Sequence, residues 1–181
     1  YSAELTADDD TLTANFEIQL DPRSEGTVAD RLAQFEFLKS VRDKVDETHD
    51  AIRHMRAMRS QISGLLKRLE KEDHPSLFGK AEALDSSMVA IEEVLYQTKL
   101  KSNQDMLNYP IKLNNKLAHV GSLASMGIYK PTDQMEGVKA DLTAKIDVQL
   151  SAWYWLRDEQ IPAFNVLIRE SEIDFIGVPK D

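Results

Sequence analysis

A seven-residue apolar repeat persists for more than 40 residues after Thr27, and it constrains the fold more than any other feature. One series runs Leu38, Val45, Ile52, Arg59, Leu66; the other runs Val41, Thr48, Met55, Ile62, Leu69. Eight of these ten positions are apolar, which predicts a single long helix burying a coiled-coil-like seam. Thr27 followed by Asp30 reads as its N-cap, and Asp73-His74-Pro75 as its end. Residues 27–71 in helical form would be about 66 Å long.

A rod of that length needs partners of matching length. The second apolar pattern starts near Ser76 with Leu84, Met88, Ile91 and Leu95, then resumes with Met106, Tyr109, Leu113, Leu117, Val120 and Leu123. Pro110 interrupts it. Length matching favours a Pro-kinked helix here over a break, although an interior proline costs about 3 kcal/mol. The third pattern opens at Pro131-Thr132-Asp133, with Glu136 placed for a capping box. It continues through Met135, Val138, Leu142, Ile146, Leu150, Trp153, Leu156, Ile161, Phe164 and Ile168, and Pro162 should bend it. The expected fold is mainly α: an antiparallel bundle of three long helices, the second and third Pro-kinked, or four helices if Pro110 is a break. That registration places Arg59 near Glu92 and Glu93 as an ion pair. It also sets the small residues Thr48 and Ser102 against the indoles at 153–155.

Ahead of the bundle, residues 11–20 alternate apolar and polar, and Tyr1, Ala3, Leu5 and Ala7 alternate more weakly. With turn chemistry at 7–10, this predicts a β-hairpin over residues 1–24, leaving 25–181 to the bundle. A lone hairpin is marginal in water, so a sheet partner is expected for it. The tail residues Phe175, Ile176 and Val178 are a candidate to pack on its face. Residues 1–26 carry seven acidic side chains against one basic, which marks them as a separate unit. The chain begins at Tyr1, and the expectation is a processed protein or a piece of a longer one.

A net charge of −9 argues against nucleic acid and anionic membranes as partners. The chain has no cysteine, which excludes disulfides, zinc thiolates and a thiol nucleophile. No apolar run approaches the roughly 20 residues of a membrane span. Asp46, His49 and Asp50 share a helix face, but the two Glu-x-x-His pairs of a bundle di-iron site are missing, so a solvated or ion-paired face is expected. Arg53, His54, Arg56 and Arg59 form a basic cluster for which intramolecular pairing is expected. Trp153 and Trp155 point roughly 200° apart on a helix, at about 100° per residue, so at least one belongs to the core. Pro110 should free a backbone carbonyl, that of Met106, for a nearby amide side chain. No hydrolase or metalloprotease motif occurs, so no catalytic, metal or cofactor residue is assigned. Trp155, Tyr109, Asn114 and Asn115 remain as candidate ligand or partner contacts.

The wording of three stretches carries a resemblance. FEIQLDPR (16–23), AQFEFLKSVRDKVDETHDAIRHMRAMRSQI (33–62) and DMLNYPIKLNNKLAHVGSL (105–123) resemble the C-terminal region of large exported bacterial proteins. Their main body is a sortilin- or BNR-repeat-type β-propeller, of the kind labelled glycosyl hydrolase by analogy with sialidases and xyloglucanases. The resemblance spans about residues 12–176. It implies that residues 1–20 are the last hairpin of an immunoglobulin-like sandwich, and that the helices are an appended, non-catalytic accessory or interaction domain. It also implies export, with the propeller and sandwich of the same polypeptide as partners; a homodimer is the other assembly expected. The alternative function is a carbohydrate- or peptide-binding helical module around Trp155 and the Pro110 kink.

Overall fold

The computed structural model describes residues 1–19 and 21–173. It is mainly helical, with an N-terminal two-stranded hairpin. The hairpin pairs β1 (Ser2–Ala7) with β2 (Asp10–Asn15), antiparallel, in the register Ala3↔Ala14 and Leu5↔Leu12. Asp8, at φ 51°, turns the chain between them, a left-handed position that Asp tolerates better than most residues. The pairing continues past the strands, because Tyr1 and Phe16 exchange backbone hydrogen bonds of 2.9 and 3.0 Å and stack their rings at 5.8 Å.

The long helix forms as the repeat requires. α1 (Val28–Leu66) begins at Thr27, whose hydroxyl accepts from the Asp30 N–H while Asp30 accepts from the Thr27 N–H. Val41, Thr48, Met55 and Ile62 are buried along one seam series. In the other, Ile52 is buried and Leu38, Val45 and Leu66 pack against the core. Thr48 is compatible with the core because its hydroxyl donates to the Lys44 carbonyl at 2.8 Å. The helix stops five residues earlier than the repeat suggested, and Pro75 opens α2 (Pro75–Leu95) instead of closing α1, using the position where a missing N–H costs least.

Length matching misjudged the middle of the chain. α2 ends at Leu95, and α3 (Leu113–Ala124) starts after a non-helical stretch that holds one short 3₁₀ turn, Asn103–Leu107. The chain therefore has the four-helix form, and Pro110 lies in a break, not a kink. The reason is local: residues 97–105, QTKLKSNQD, offer a single apolar side chain, so a helix there would bury almost nothing. Gln97 spans the break, its amide donating to the Pro110 carbonyl at 2.9 Å. An amide thus satisfies freed backbone as expected, but at Pro110 and not at Met106. Ser102 caps the 3₁₀ turn and is exposed, away from the indoles. Beyond the break α3 packs on α1, where Gly121 permits a close approach: a Cβ there would lie 3.0 Å from Val41 Cγ1.

α4 (Asp133–Trp155) is capped by Thr132, which accepts from the Met135 N–H at 3.2 Å; the capping pair is therefore Thr132 and Met135 rather than Asp133 and Glu136. Leu142, Ile146, Leu150 and Trp153 are buried, and Val138 alone of the expected pattern is exposed. The bend anticipated at Pro162 takes a specific form. A five-residue π turn, Leu156–Gln160, precedes α5 (Ile161–Glu170), and the Ile161 N–H bonds back to the Leu156 carbonyl five residues earlier. Widening the turn just ahead of Pro162 removes the clash its ring would make with a carbonyl four residues back. α4 and α5 thus run on as one bent helix, the fourth of the bundle, and one apolar cluster draws on α1, α2, α3 and this α4–α5 rod, while the hairpin contributes nothing to it. The tail residues Phe175, Ile176 and Val178, expected against the hairpin, lie outside the described residues.

Candidate interaction surface

The alternation in residues 1–16 sorts the hairpin into two unlike faces. Tyr1, Ala3 and Leu5 stand opposite Phe16, Ala14 and Leu12, so one face is apolar along most of its length, up to Asp10, which stands opposite Ala7 beside the turn. The other carries Glu4, Thr6, Thr11 and Thr13, with the Thr6 and Thr11 hydroxyls 3.3 Å apart. Every described residue of both strands is exposed, including Leu12 at 68%. Covering a leucine or phenylalanine of this face would contribute about 1.5–3 kcal/mol each, so the arrangement leaves a large gain unclaimed. No third strand joins the sheet among the described residues.

A second exposed apolar run begins where the linker meets α1. Val28, Leu32 and Phe35, spaced i, i+4, i+7, form a stripe on the first two turns, with Val28 71% and Phe35 58% exposed. The last turn of α3 and its connection to α4 add Leu123, Met126 and Tyr129 at this end of the bundle. That connection is tied to α1 by Gln34, whose amide donates to the Ala124 and Gly127 carbonyls at 2.7 and 3.0 Å. Gly26 sits so close to Ile128 that a Cβ would lie 2.4 Å from its carbonyl oxygen, which fixes how the linker enters the helix. Sequence reasoning missed the stripe. The signal was present: carried back one heptad, the seam falls on Arg31 and Gln34, so Val28, Leu32 and Phe35 are out of phase with it.

The four residues proposed as contacts are not assembled into one site. Trp155 is 56% exposed and Tyr109 is exposed at the break. Asn115 is half-buried, and Asn114 is buried with its amide 3.1 Å from His49 Nε2. None of the four lines the cavities described below. His49, paired with Asn114 and set edge-on to Tyr96, is half-buried. Asp50 pairs with Arg53. Among the described residues, no group of three His, Asp or Glu side chains is arranged to hold a metal ion.

The three arginines of the basic cluster are paired within the chain, as expected. Arg56 reaches Glu92 at 2.6 Å and lies over the Tyr96 ring at 5.1 Å. Arg59 binds Asp85 at 2.7 Å and Glu92 at 3.2 Å. Of the two expected partners Glu92 is found; the other place is taken by Asp85, two turns before it, instead of Glu93. A groove of about 420 Å³ opens between α1 and α4, lined by Asp43, Glu47, Asp50, His54 and Tyr154. Here the Tyr154 hydroxyl donates to Glu47 at 2.6 Å, and Lys44 bridges Glu47 and Asp147 at 2.6 and 2.8 Å.

These contacts predict a pH effect. The Lys44 hydrogen bond, and after it that of Tyr154, hold the Glu47 carboxyl below its ordinary range. A carboxyl depressed on folding adds stability above its unfolded pKa, and that contribution is lost as pH falls through the folded value. Tyr154→Phe should therefore raise the Glu47 pKa in a carboxyl-carbon NMR titration and shift acid unfolding to higher pH. An unchanged Glu47 titration would contradict the bond.

Compared with known proteins, the chain matches no family model, no curated protein and no solved structure.

Proposed function

We propose that this chain is a non-catalytic accessory module that joins a larger exported polypeptide through its hairpin end. The parent is a β-propeller protein of glycosyl-hydrolase-like type, and the hairpin completes an immunoglobulin-like sandwich ahead of the helices. The observation that carries this reading is the uncovered apolar hairpin face of Tyr1, Leu5, Leu12 and Phe16, backed by the stripe of Val28, Leu32 and Phe35. A two-stranded sheet gains little by itself, whereas a third strand and a covering layer would bury that face. The resemblance of FEIQLDPR and the two helical stretches to propeller-protein C-termini supplies the identity of the neighbour. No helix among the described residues is long and apolar enough to cross a membrane, so attachment runs through protein contacts in this reading.

Amide hydrogen exchange tests the docking. In the isolated chain, Leu5 and Leu12 amides should exchange with little protection beyond their own pairing. In the longer polypeptide they should slow by at least 100-fold, as amides of a multi-stranded sheet do. Equal exchange in both contexts would overturn the docking. A reading frame with no β unit ahead of Tyr1 would overturn the assignment of the neighbour.

A further inference from the structure

Where α3 starts after the break, a groove of about 380 Å³ opens between it, the end of α2 and the middle of α4. Part of its lining is apolar: Val94 in the last turn of α2, Ile111 just ahead of α3, and Val148 on α4. Val94 and Val148 are exposed and Ile111 is half-buried, so this wall is open to solvent. A volume of this size is at the lower end of the range for small-molecule sites.

The rest of the lining is cationic. Lys112, the N-cap residue of α3, is joined by Lys116 one turn on and by Lys145 from α4, and among the described residues no carboxylate lines the groove with them. In a chain with 31 acidic side chains against 22 lysines and arginines, that grouping runs against the composition. Lys112 and Lys116 are four residues apart on one helix face, a spacing at which like charges repel. Neither has a carboxylate partner among the described residues, although Lys112 is half-buried; the paired lysines are 44, 71, 139 and 145. Lys145 pairs with Asp141 at 2.7 Å, but both side chains are largely exposed, and a surface pair of this kind holds its lysine only weakly.

The surroundings reinforce the positive charge. From 99 to 116 the chain carries four lysines and one carboxylate, Asp105. That carboxylate is already engaged, accepting from the Lys101 and Ser102 N–H groups at 2.6 and 3.0 Å. The first turn of α3 has no acidic residue and no side-chain cap, so its free N–H groups add partial positive charge at the same place.

We propose that this groove binds a small amphiphilic anion, its head held by Lys112, Lys116 and Lys145 and a short apolar body laid on Val94, Ile111 and Val148. An ammonium is a compact point charge without the planar fork of a guanidinium, so carboxylate and phosphate heads suit it alike. Head and body act together: the lysines alone would attract any salt anion, and the apolar wall alone any neutral alkyl group. The site uses no hairpin residue, so it stands or falls separately from the docking reading.

An NMR titration of the full chain with octanoate tests the site. Saturable shifts should appear at the Val94, Ile111 and Val148 methyls and at the ε-CH₂ groups of the three lysines, and hexyl phosphate should reproduce them. Acetate, which has the head alone, and octanol, which has the body alone, should each bind at least about tenfold more weakly. Lys112→Gln combined with Lys116→Gln should weaken octanoate binding by about tenfold or more. Lys39→Gln combined with Lys67→Gln lowers the net charge equally at exposed positions outside the groove and should leave binding unchanged. Binding of octanoate without hexyl phosphate would support the site and restrict its ligands to carboxylates. The absence of saturable shifts, acetate or octanol binding as tightly as octanoate, or equal losses from the two double variants would each overturn the proposal.

Discussion

Trp153→Ala should lower the unfolding free energy by about 3–5 kcal/mol, while Trp155→Ala should stay within about 0.5 kcal/mol of the parent. The two indoles differ by two positions in sequence and are the only tryptophans in the chain. Trp153 is 1% exposed and continues the buried line of Leu142, Ile146 and Leu150. Deleting it removes the transfer energy of a large aromatic and leaves a void in the core cluster shared by the helices. Trp155 has over half its surface in water already. Urea titrations of the two variants measure the contrast, and the residual fluorescence reports it independently: the Trp155→Ala protein should emit as a buried indole, the Trp153→Ala protein as a wet one. Comparable losses from both substitutions would mean that the packing of α4 is wrong.

The second large effect concerns Glu92, a carboxylate 3% exposed in the wall between α1 and α2. Its two oxygens are taken by Arg56 and Arg59. Replacing both arginines with alanine strands a charge in the interior, for which a loss of about 3–5 kcal/mol is the usual scale. The guanidiniums retain partial contact with solvent, 50% and 30% by side chain, so water can enter in their place and the lower end is expected. Adding Glu92→Met to the double variant should recover most of that loss, since an apolar side chain of similar length suits the site once no cation faces it. Thermal or urea unfolding of the three proteins decides the matter. If the triple variant is no more stable than the double, the arginines contribute through their packing and not through charge.

How much of this was legible beforehand depended on the range over which a signal acts. The seam of α1 could be read directly, because burial of Val41, Met55 and Ile62 and the tolerated Thr48 follow from spacing alone. The pairing of Arg59 with Glu92 followed from registering two antiparallel helices, but that registration did not reach Asp85, two turns away, which the long guanidinium side chain also contacts. The break between α2 and α3 was missed because a global argument, equal rod lengths, was set above a local one, the polar run at 97–105. The site of Asn114 could not be read at all: its partner His49 lies 65 residues away, and neither residue's spacing points to the other. The hairpin's pattern announced an apolar face, but no property of these residues could say that the helices would leave it bare.

The widened turn ahead of Pro162 has a consequence for how this rod can vary. A π turn holds one residue more than the α-helical turn it replaces, so α5 is rotated by roughly 100° from where an uninterrupted α4 would carry it. The rod therefore tolerates a length change only here, and only in step with the proline. A chain on the same plan that lacks one residue between 156 and 160 should have regular helix through the joint and some other side chain in place of Pro162.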